Sequence, residues 1–440
     1  MIGEIQVLRS LDPYHQRVGY LGVVALKGIR DIDTPEALNA RIDEILFEKI
    51  YADSPLYARL WALIPPERQK KLLADAAKRD PEDDPSAILR PLAKSGEWFN
   101  TWELWINDGR VPSNVGPLNP KKSHRIVDLA RMTEVVLPTY ELSEIGHLLQ
   151  VFLTRDGTVA DNPLIPNPSI AVRLIYLKIL LAADCIWPVL LKTMADDLKN
   201  DETLRTYSTE KLPGLLNKSV TSLLHRLDIE SDIDDINQLR PLREYLESIR
   251  KSASTEENYL RPRMELLLDL GLIERTAASR DLKSKKAFVW ALNDSGVRMA
   301  RNLEPVSLAP GKIAATLEQE FFAYCADAYG YKVSGTVIAD SEILLWFARA
   351  FKLVGREYGF TPGRTITTTA CLLAIERGRL LELGAVADCV YRAAKSEFSK
   401  YLKFSGGSRF DREFLIRVQP GLEAFCLETS RSAGLDLPSS

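Results

Sequence analysis

The side chains best suited to chemistry in this 440-residue chain are clustered Arg and Lys residues, which can contact phosphate groups. Residues 259–301 hold nine basic side chains against five acidic ones, a net charge of +4, whereas the whole chain carries −3. The candidate phosphate contacts of this segment are Arg261, Arg263, Arg280, Lys283, Lys285 and Lys286. A smaller basic set earlier in the chain comprises Lys121, Lys122 and Arg125. The alternative is a solvated loop whose lysines serve solubility.

A second basic segment lies near the C-terminus. Residues 392–417 contain seven basic and three acidic side chains, again a net charge of +4. Around Gly406-Gly407, backbone amides and neighbouring side chains form a candidate phosphate-binding set of Ser405, Ser408, Arg409 and Arg412. The segment lacks the helix-opening lysine of a P-loop, so nucleotide hydrolysis is not indicated. An ordinary glycine turn beside a charged edge strand is the alternative.

Patterns of known catalytic centres are scarce. The four histidines show no H-x-H or H-E-x-x-H spacing, and G-x-S-x-G and G-x-G-x-x-G are absent, so we expect no metal and no cofactor. Asp281-Leu282-Lys283 matches the local D-x-K step of metal-dependent nucleases, but no strand pattern precedes it. The sequence therefore favours a non-catalytic protein and leaves open an enzyme whose site is dispersed along the chain.

Two stretches that surround the first basic sets share an order of elements. Residues 124–153 and 262–303 each read as an amphipathic helix, a short strand, a turn, a second strand and another helix. In both, a polar residue (Ser143 or Asn293) follows the second strand, and a glycine (Gly146 or Gly296) opens the next helix. Asn293 and Ser143 are suited to cap that helix.

The string LLLDLGLIER…FVWALNDSGVRMARNL resembles winged helix-turn-helix domains, in which a recognition helix precedes a β-hairpin wing. The resemblance extends to two segments, about 96–153 and 169–303. It implies a mainly α-helical, multi-domain protein with small β-hairpins and tandem winged-helix units. The resemblance concerns the fold alone. In such a fold the basic residues favour phosphate contact by the helix starting near Arg261 and by the wing that carries Lys283, Lys285 and Lys286. Arg263 and neighbouring helix residues are the candidate readers of base edges.

Proline- and glycine-rich breaks divide the chain into four predicted regions. These are an N-terminal helical region (1–85), a first winged-helix-like unit (86–160), a second unit (161–304) with a helical insertion at about 196–257, and a C-terminal helical domain (313–440) that ends in a β-hairpin. The C-terminal domain is also open to interpretation as a third winged-helix-like unit.

Composition limits the compartment and the partners. Hydrophobic residues make up 46% and charged residues 27%, which is typical of soluble globular proteins. The five cysteines are widely spaced and form no C-x-x-C pair, so we expect reduced thiols. The N-terminus lacks a signal-peptide pattern, and the apolar run 171–191 carries three charged residues, which disfavour a membrane span. The sequence therefore predicts a cytoplasmic protein that does not contact membranes.

Together these patterns predict a winged-helix protein that binds double-stranded DNA, as a non-catalytic subunit or regulator of a bacterial multi-protein system such as antiviral defence or chromosome handling. One alternative is a scaffold whose winged helices dock protein partners or other copies of the chain. A metal-dependent nuclease is another alternative.

Overall fold

A computed structural model describes residues 18–26, 65–77, 123–155, 169–200, 206–230, 233–249, 253–277, 288–306, 320–331, 338–355, 359–405 and 414–432, together with single residues 37 and 62. In this part of the chain the protein is mostly helical, with two small antiparallel sheets of three strands each. This confirms the mainly α-helical prediction with small β-hairpins.

The first described elements are four helices. They are α1 (Gly19–Leu26), α2 (Pro66–Ala77), α3 (Ser123–Met132) and α4 (Glu144–Arg155). Helix α1, of sequence GYLGVVAL, is buried along nearly its whole length and packs against α3 and α4. An isolated antiparallel bridge joins Val136 to Leu142 between α3 and α4. The predicted helix, short hairpin and helix of 124–153 are therefore present.

The described residues between 169 and 306 form six α-helices and the first sheet. In chain order the elements are α5 (Ile170–Ala183), α6 (Ile186–Asn200), β1 (Tyr207–Ser208), α7 (Leu212–Glu230), α8 (Ile233–Ile249), α9 (Ala253–Asp269), β2 (Ile273–Ala277), β3 (Phe288–Leu292) and α10 (Asp294–Leu303). The strand order is β1-β3-β2. Helix α7 packs against both α6 and α9, so the segment that was predicted to be an insertion (196–257) supplies part of the core.

The C-terminal part repeats this arrangement. Its elements are α11 (Asp340–Val354), β4 (Thr361–Pro362), α12 (Gly363–Ile375), α13 (Leu383–Ala393), β5 (Leu402–Ser405), β6 (Leu415–Val418) and α14 (Leu422–Ser432). The strand order is β4-β6-β5, in which the first strand again pairs with the last. The predicted terminal hairpin is therefore present, and it belongs to a three-stranded sheet.

The base of each hairpin is closed by the same backbone hydrogen bond. The residue after the second strand donates its N–H to the carbonyl oxygen of the residue before the first strand. The three bonds are Ser143 to Val135 (3.1 Å), Asn293 to Leu272 (3.4 Å) and Gln419 to Tyr401 (2.7 Å). We call this feature the hairpin lock.

The first two hairpin locks are reinforced by the residues that the sequence pattern identifies. The Ser143 hydroxyl accepts from the N–H of Gly146 at 3.1 Å, and Asn293 Oδ1 accepts from the N–H of Gly296 at 2.9 Å. A Cβ on Gly146 would lie 2.2 Å from the Val135 carbonyl oxygen. A Cβ on Gly296 would lie 2.1 Å from that of Leu272. The following helix can approach the hairpin this closely only because each position is glycine.

A polar contact joins the N-terminal helices to the C-terminal part. Glu376, just after α12, accepts from Arg155 Nη2 at 2.6 Å and from the Ser169 hydroxyl at 3.0 Å. Arg155 ends α4, and Ser169 precedes α5. Helix α12 also packs directly against α4 and α5, so the two parts share an interface.

The close approach at the hairpin lock generates a prediction about stability. Gly296→Ala should lower the free energy of unfolding by about 2 kcal/mol or more, because the new methyl group overlaps a backbone carbonyl that cannot move aside cheaply. Gly214→Ala in α7 is the matched control, since its Cβ would meet nothing within 4 Å. That substitution should stabilise the helix by about 0.5–1 kcal/mol. Urea unfolding followed by tryptophan fluorescence measures both, and equal effects of the two substitutions would contradict the lock.

Candidate nucleic-acid interface

Helix α9, which the sequence places at the first basic cluster, is a core element. Every residue from Tyr259 to Leu270 is buried or half-buried. Arg263 is fully buried, and its Nε donates to Asp184 Oδ2 at 2.7 Å, while Nη1 donates to the Tyr259 carbonyl at 2.6 Å. The prediction that Arg263 reads base edges is therefore wrong, because its guanidinium forms a buried ion pair inside the protein.

A second buried pair removes another basic residue of this segment from the surface. Arg275 Nη1 donates to Glu265 Oε2 at 2.6 Å, and Trp290 Nε1 donates to the other carboxylate oxygen at 3.2 Å. Both Glu265 and Arg275 are almost fully shielded from solvent. This pair cancels within the segment and leaves its net charge unchanged, whereas the pairing of Arg263 with Asp184 lowers the charge of 259–301 from +4 to +3.

The remaining candidates of the first two basic sets are only partly located. Arg261 is half-buried on α9, and Arg125 falls within α3. The other members lie outside the described residues: Lys121, Lys122, Arg280, Lys283, Lys285 and Lys286. Their role as phosphate contacts stays a prediction.

The C-terminal unit presents a more open surface. Strands β5 and β6 alternate, with Leu402, Ile416 and Val418 buried and four residues exposed on the other face. The exposed residues are Lys403, Ser405, Leu415 and Arg417. We call these four residues the hairpin face. Ser405 is thus exposed, as a ligand contact requires, whereas Ser408, Arg409 and Arg412 lie outside the described residues.

Two like charges lie directly opposite each other on the hairpin face. Lys403 pairs with Arg417 in the antiparallel register, and Ser405 pairs with Leu415. Within the described part of the chain neither Lys403 nor Arg417 forms an ion pair. Like charges at directly opposed positions destabilise a sheet, and an anion bound between them would relieve the repulsion.

Aromatic packing fixes the hairpin relative to α13. Tyr391 of α13 stacks on Phe404 with ring centroids 5.6 Å apart, and it meets Phe414 edge-on at 5.0 Å. Helix α13 itself is amphipathic and exposes Ala385, Asp388 and Arg392. Arg392 pairs with Asp340 at 2.8 Å, so the helix offers little free positive charge. Lys395 and Lys400, just beyond α13, are exposed and extend the basic surface towards β5.

Sequence reasoning counted Lys403 and Arg417 in the C-terminal charge but did not select them as contacts. The available signal was the alternation of Leu-Lys-Phe-Ser and Leu-Ile-Arg-Val, which predicts that both basic side chains project from the same face of the hairpin. Their direct opposition depends on the register, and the loop length alone does not determine it.

The ends of α11 and α14 and the strand β6 line an open groove of about 640 Å³. Its floor is mainly apolar, including Phe351, Leu422 and Leu427. Glu423 at its rim pairs with Arg349 at 3.0 Å and also with Lys352, and these contacts, led by the Lys352 hydrogen bond, lower the pKa of Glu423. The Glu423 carboxylate is thus neutralised by these two cations.

The described residues were also compared with the patterns of metal sites, membrane-spanning helices and disulfides. Among the described residues no group of three or more His, Cys, Asp or Glu side chains is arranged to hold a metal ion. Within the same ranges, no single helix combines the length and apolar composition needed to cross a membrane, and the pair α5 and α6 reaches that length only across a bend of 102°. All five cysteines are free and buried.

Comparison with known proteins returned no match to a family model, to a curated protein or to a solved structure.

The buried ion pair between Arg263 and Asp184 predicts that a substitution of Arg263 strongly lowers the stability of the protein. Arg263→Met should lower the free energy of unfolding by about 3–5 kcal/mol, because it leaves the Asp184 carboxylate buried without a counter-charge. The control is Arg243→Met, which removes the partly exposed ion pair with Asp228 and should cost about 1 kcal/mol or less. Urea unfolding of both variants measures the difference. A loss at Arg263 no larger than that at Arg243 would show that the pair is not structurally important.

Proposed function

We propose that this protein binds double-stranded DNA through winged-helix units and that the C-terminal unit provides the principal contact. The order helix, strand, helix, helix, strand, strand occurs in α11–β4–α12–α13–β5–β6. Together with the sheet order β4-β6-β5, this order of elements supports the proposal of a winged helix whose wing is the hairpin. The elements α6–β1–α7–α9–β2–β3 follow the same order, with α8 added.

The observation that carries the proposal is the exposed Lys403–Arg417 pair on the hairpin face. Two cations without an ion-pair partner among the described residues, held opposite each other by the strand register, suit successive phosphates of a nucleic-acid backbone. Phosphate contacts would supply most of the affinity, so binding should weaken steeply with salt. The contact surface is then the hairpin face together with Lys395 and Lys400.

The buried state of α9 favours a different role for the second unit. In a DNA-reading unit the corresponding helix must reach the major groove, whereas α9 is buried or half-buried from Tyr259 to its C-terminal end. We therefore propose that the second unit acts as a structural core, and that its hairpin alone is available for contacts. A scaffold function for the whole chain, in which these units dock protein partners, is the second candidate.

We also propose that this DNA-binding protein is a non-catalytic subunit or regulator of a bacterial defence or chromosome-handling system. A cytoplasmic location fits that role.

An electrophoretic mobility shift with a mixed-sequence duplex at two salt concentrations tests the proposal. The Lys403→Glu/Arg417→Glu variant should bind at least about tenfold more weakly than wild type, and its salt slope should fall by about two, because two phosphate contacts are lost. The matched control is Lys199→Glu/Lys211→Glu, which reverses two exposed lysines of α6 and the α7 entrance. The control should bind like wild type.

A second variant, Lys283→Glu/Lys285→Glu/Lys286→Glu, separates the two hairpins. Loss of binding only in this variant would move the contact to the second unit. Absence of binding at low salt would overturn the DNA proposal and favour the scaffold. Degradation of the duplex that requires Mg²⁺ would instead identify a nuclease.

A further inference from the structure

Glu382 lies at the junction between α12 and α13, in a position that is costly for a charge. It directly precedes α13, yet its side chain forms no hydrogen bond that caps this helix. Both carboxylate oxygens are shielded from solvent, and no described residue donates a well-aligned hydrogen bond to either. A buried carboxylate without such partners is strongly destabilised when it is ionised.

The groups around Glu382 do not supply the missing counter-charge. Glu320, Tyr324 and Cys325 of the helical segment 320–326 and Cys371 of α12 interact electrostatically with Glu382, whereas Lys178 of α5 acts on the two thiols. Lys178 Nζ lies 5.5 Å from the centroid of the Phe321 ring. Burial raises the pKa of Glu382 to about 8, and the Glu320 carboxylate adds to that shift. The backbone amides of Ala323 and Phe322 oppose it only in part.

We propose that Glu382 is a protonation-dependent latch that holds the segment 320–326 against the start of α13. The neutral carboxyl group stays within the contact between the two elements. The ionised group requires water, which reaches it only when the segment and the α12–α13 junction separate. Opening of this contact is therefore favoured by loss of the proton.

The direction of the pH effect follows from the two protonation states. In the closed protein the pKa of Glu382 is about 8, and in the opened segment it returns towards its ordinary value of 4.5. Between these values the closed form binds more protons, so the stabilisation is complete below about 4.5 and is lost as the pH rises through 8. The equilibrium constant for opening rises up to tenfold per pH unit over this interval.

The latch adjoins α13, the helix that packs against the aromatic residues of the hairpin region. Glu382 precedes α13, and Tyr391 of α13 holds Phe404 and Phe414 of the hairpin region. If the proposed DNA contact is correct, opening of the latch loosens the support of that contact at alkaline pH. The latch itself is a property of the packing and does not depend on any ligand.

Buried thiols on both sides of the latch provide a direct readout. Cys325 and Cys371 are fully buried, and the Glu382 charge raises the pKa of each thiol in addition to the larger effect of burial. Reaction with iodoacetamide, resolved by peptide mass spectrometry, reports how often each thiol becomes exposed. Rates are divided by those of the urea-unfolded protein at the same pH, which removes the intrinsic reactivity of the thiolate.

The expected result is a pH-dependent opening that needs the Glu382 carboxyl group. In wild type the normalised rates at Cys325 and Cys371 should rise by roughly a hundredfold between pH 5.5 and 8.5. In Glu382→Gln they should stay nearly constant, because the amide does not ionise. The exposed Glu397→Gln is the matched control and should behave like wild type. Equal pH dependence in wild type and Glu382→Gln would overturn the proposal.

A second variant keeps the test decisive if Glu382→Gln fails to fold. Glu320→Gln changes an exposed residue and removes the repulsion that helps to raise the pKa of Glu382. The opening rate at pH 8.5 should therefore be lower than in wild type. A rate equal to that of wild type would show that Glu382 does not control the opening.

Discussion

The ion pair between Asp184 and Arg263 is the constraint around which the middle of the protein is arranged. Asp184 lies between α5 and α6, and its second carboxylate oxygen accepts from the N–H of Ile186 at 3.1 Å, so it also begins α6. The same carboxylate holds Arg263, 79 residues later, in the centre of α9. Burial raises the pKa of Asp184, and the guanidinium opposes that shift. One side chain thus sets the bend between two helices and the position of a third.

The burial of α9 has consequences for where a ligand can bind. Because α7 packs against α9 and Asp184 pairs with Arg263, the second unit buries this helix from Tyr259 onwards. In the C-terminal unit the corresponding helix α13 keeps one face in solvent, and the hairpin beside it places Lys403 and Arg417 in opposition. Units with the same order of elements therefore differ in which surfaces they present, and this difference directs the proposed DNA contact to the C-terminal unit.

Much of the secondary structure was predictable from local patterns, whereas the site depended on distant contacts. Alternation and glycine placement identified the hairpins, and the Asn293 and Gly296 spacing identified the helix that follows one of them. The burial of Arg263 could not be predicted, since the sequence placed it near a helix start, where an arginine normally faces water. The helix in fact begins at Ala253, and the partner Asp184 lies between two other helices. Strands β1 and β4 have two residues each, too few for any periodic signal. The sequence therefore could not predict that each sheet has three strands.

The hairpin lock also bears on how such a chain can change during evolution. The bond that closes each hairpin joins backbone atoms at its base, and the two glycines act at the same place. Beyond the paired residues the connecting loops have different lengths: five residues between Val136 and Leu142, ten between Ala277 and Phe288, and nine between Ser405 and Leu415. Insertions and substitutions at the tips therefore leave the closed base of each hairpin intact. The length and charge of each tip can then change independently of the others.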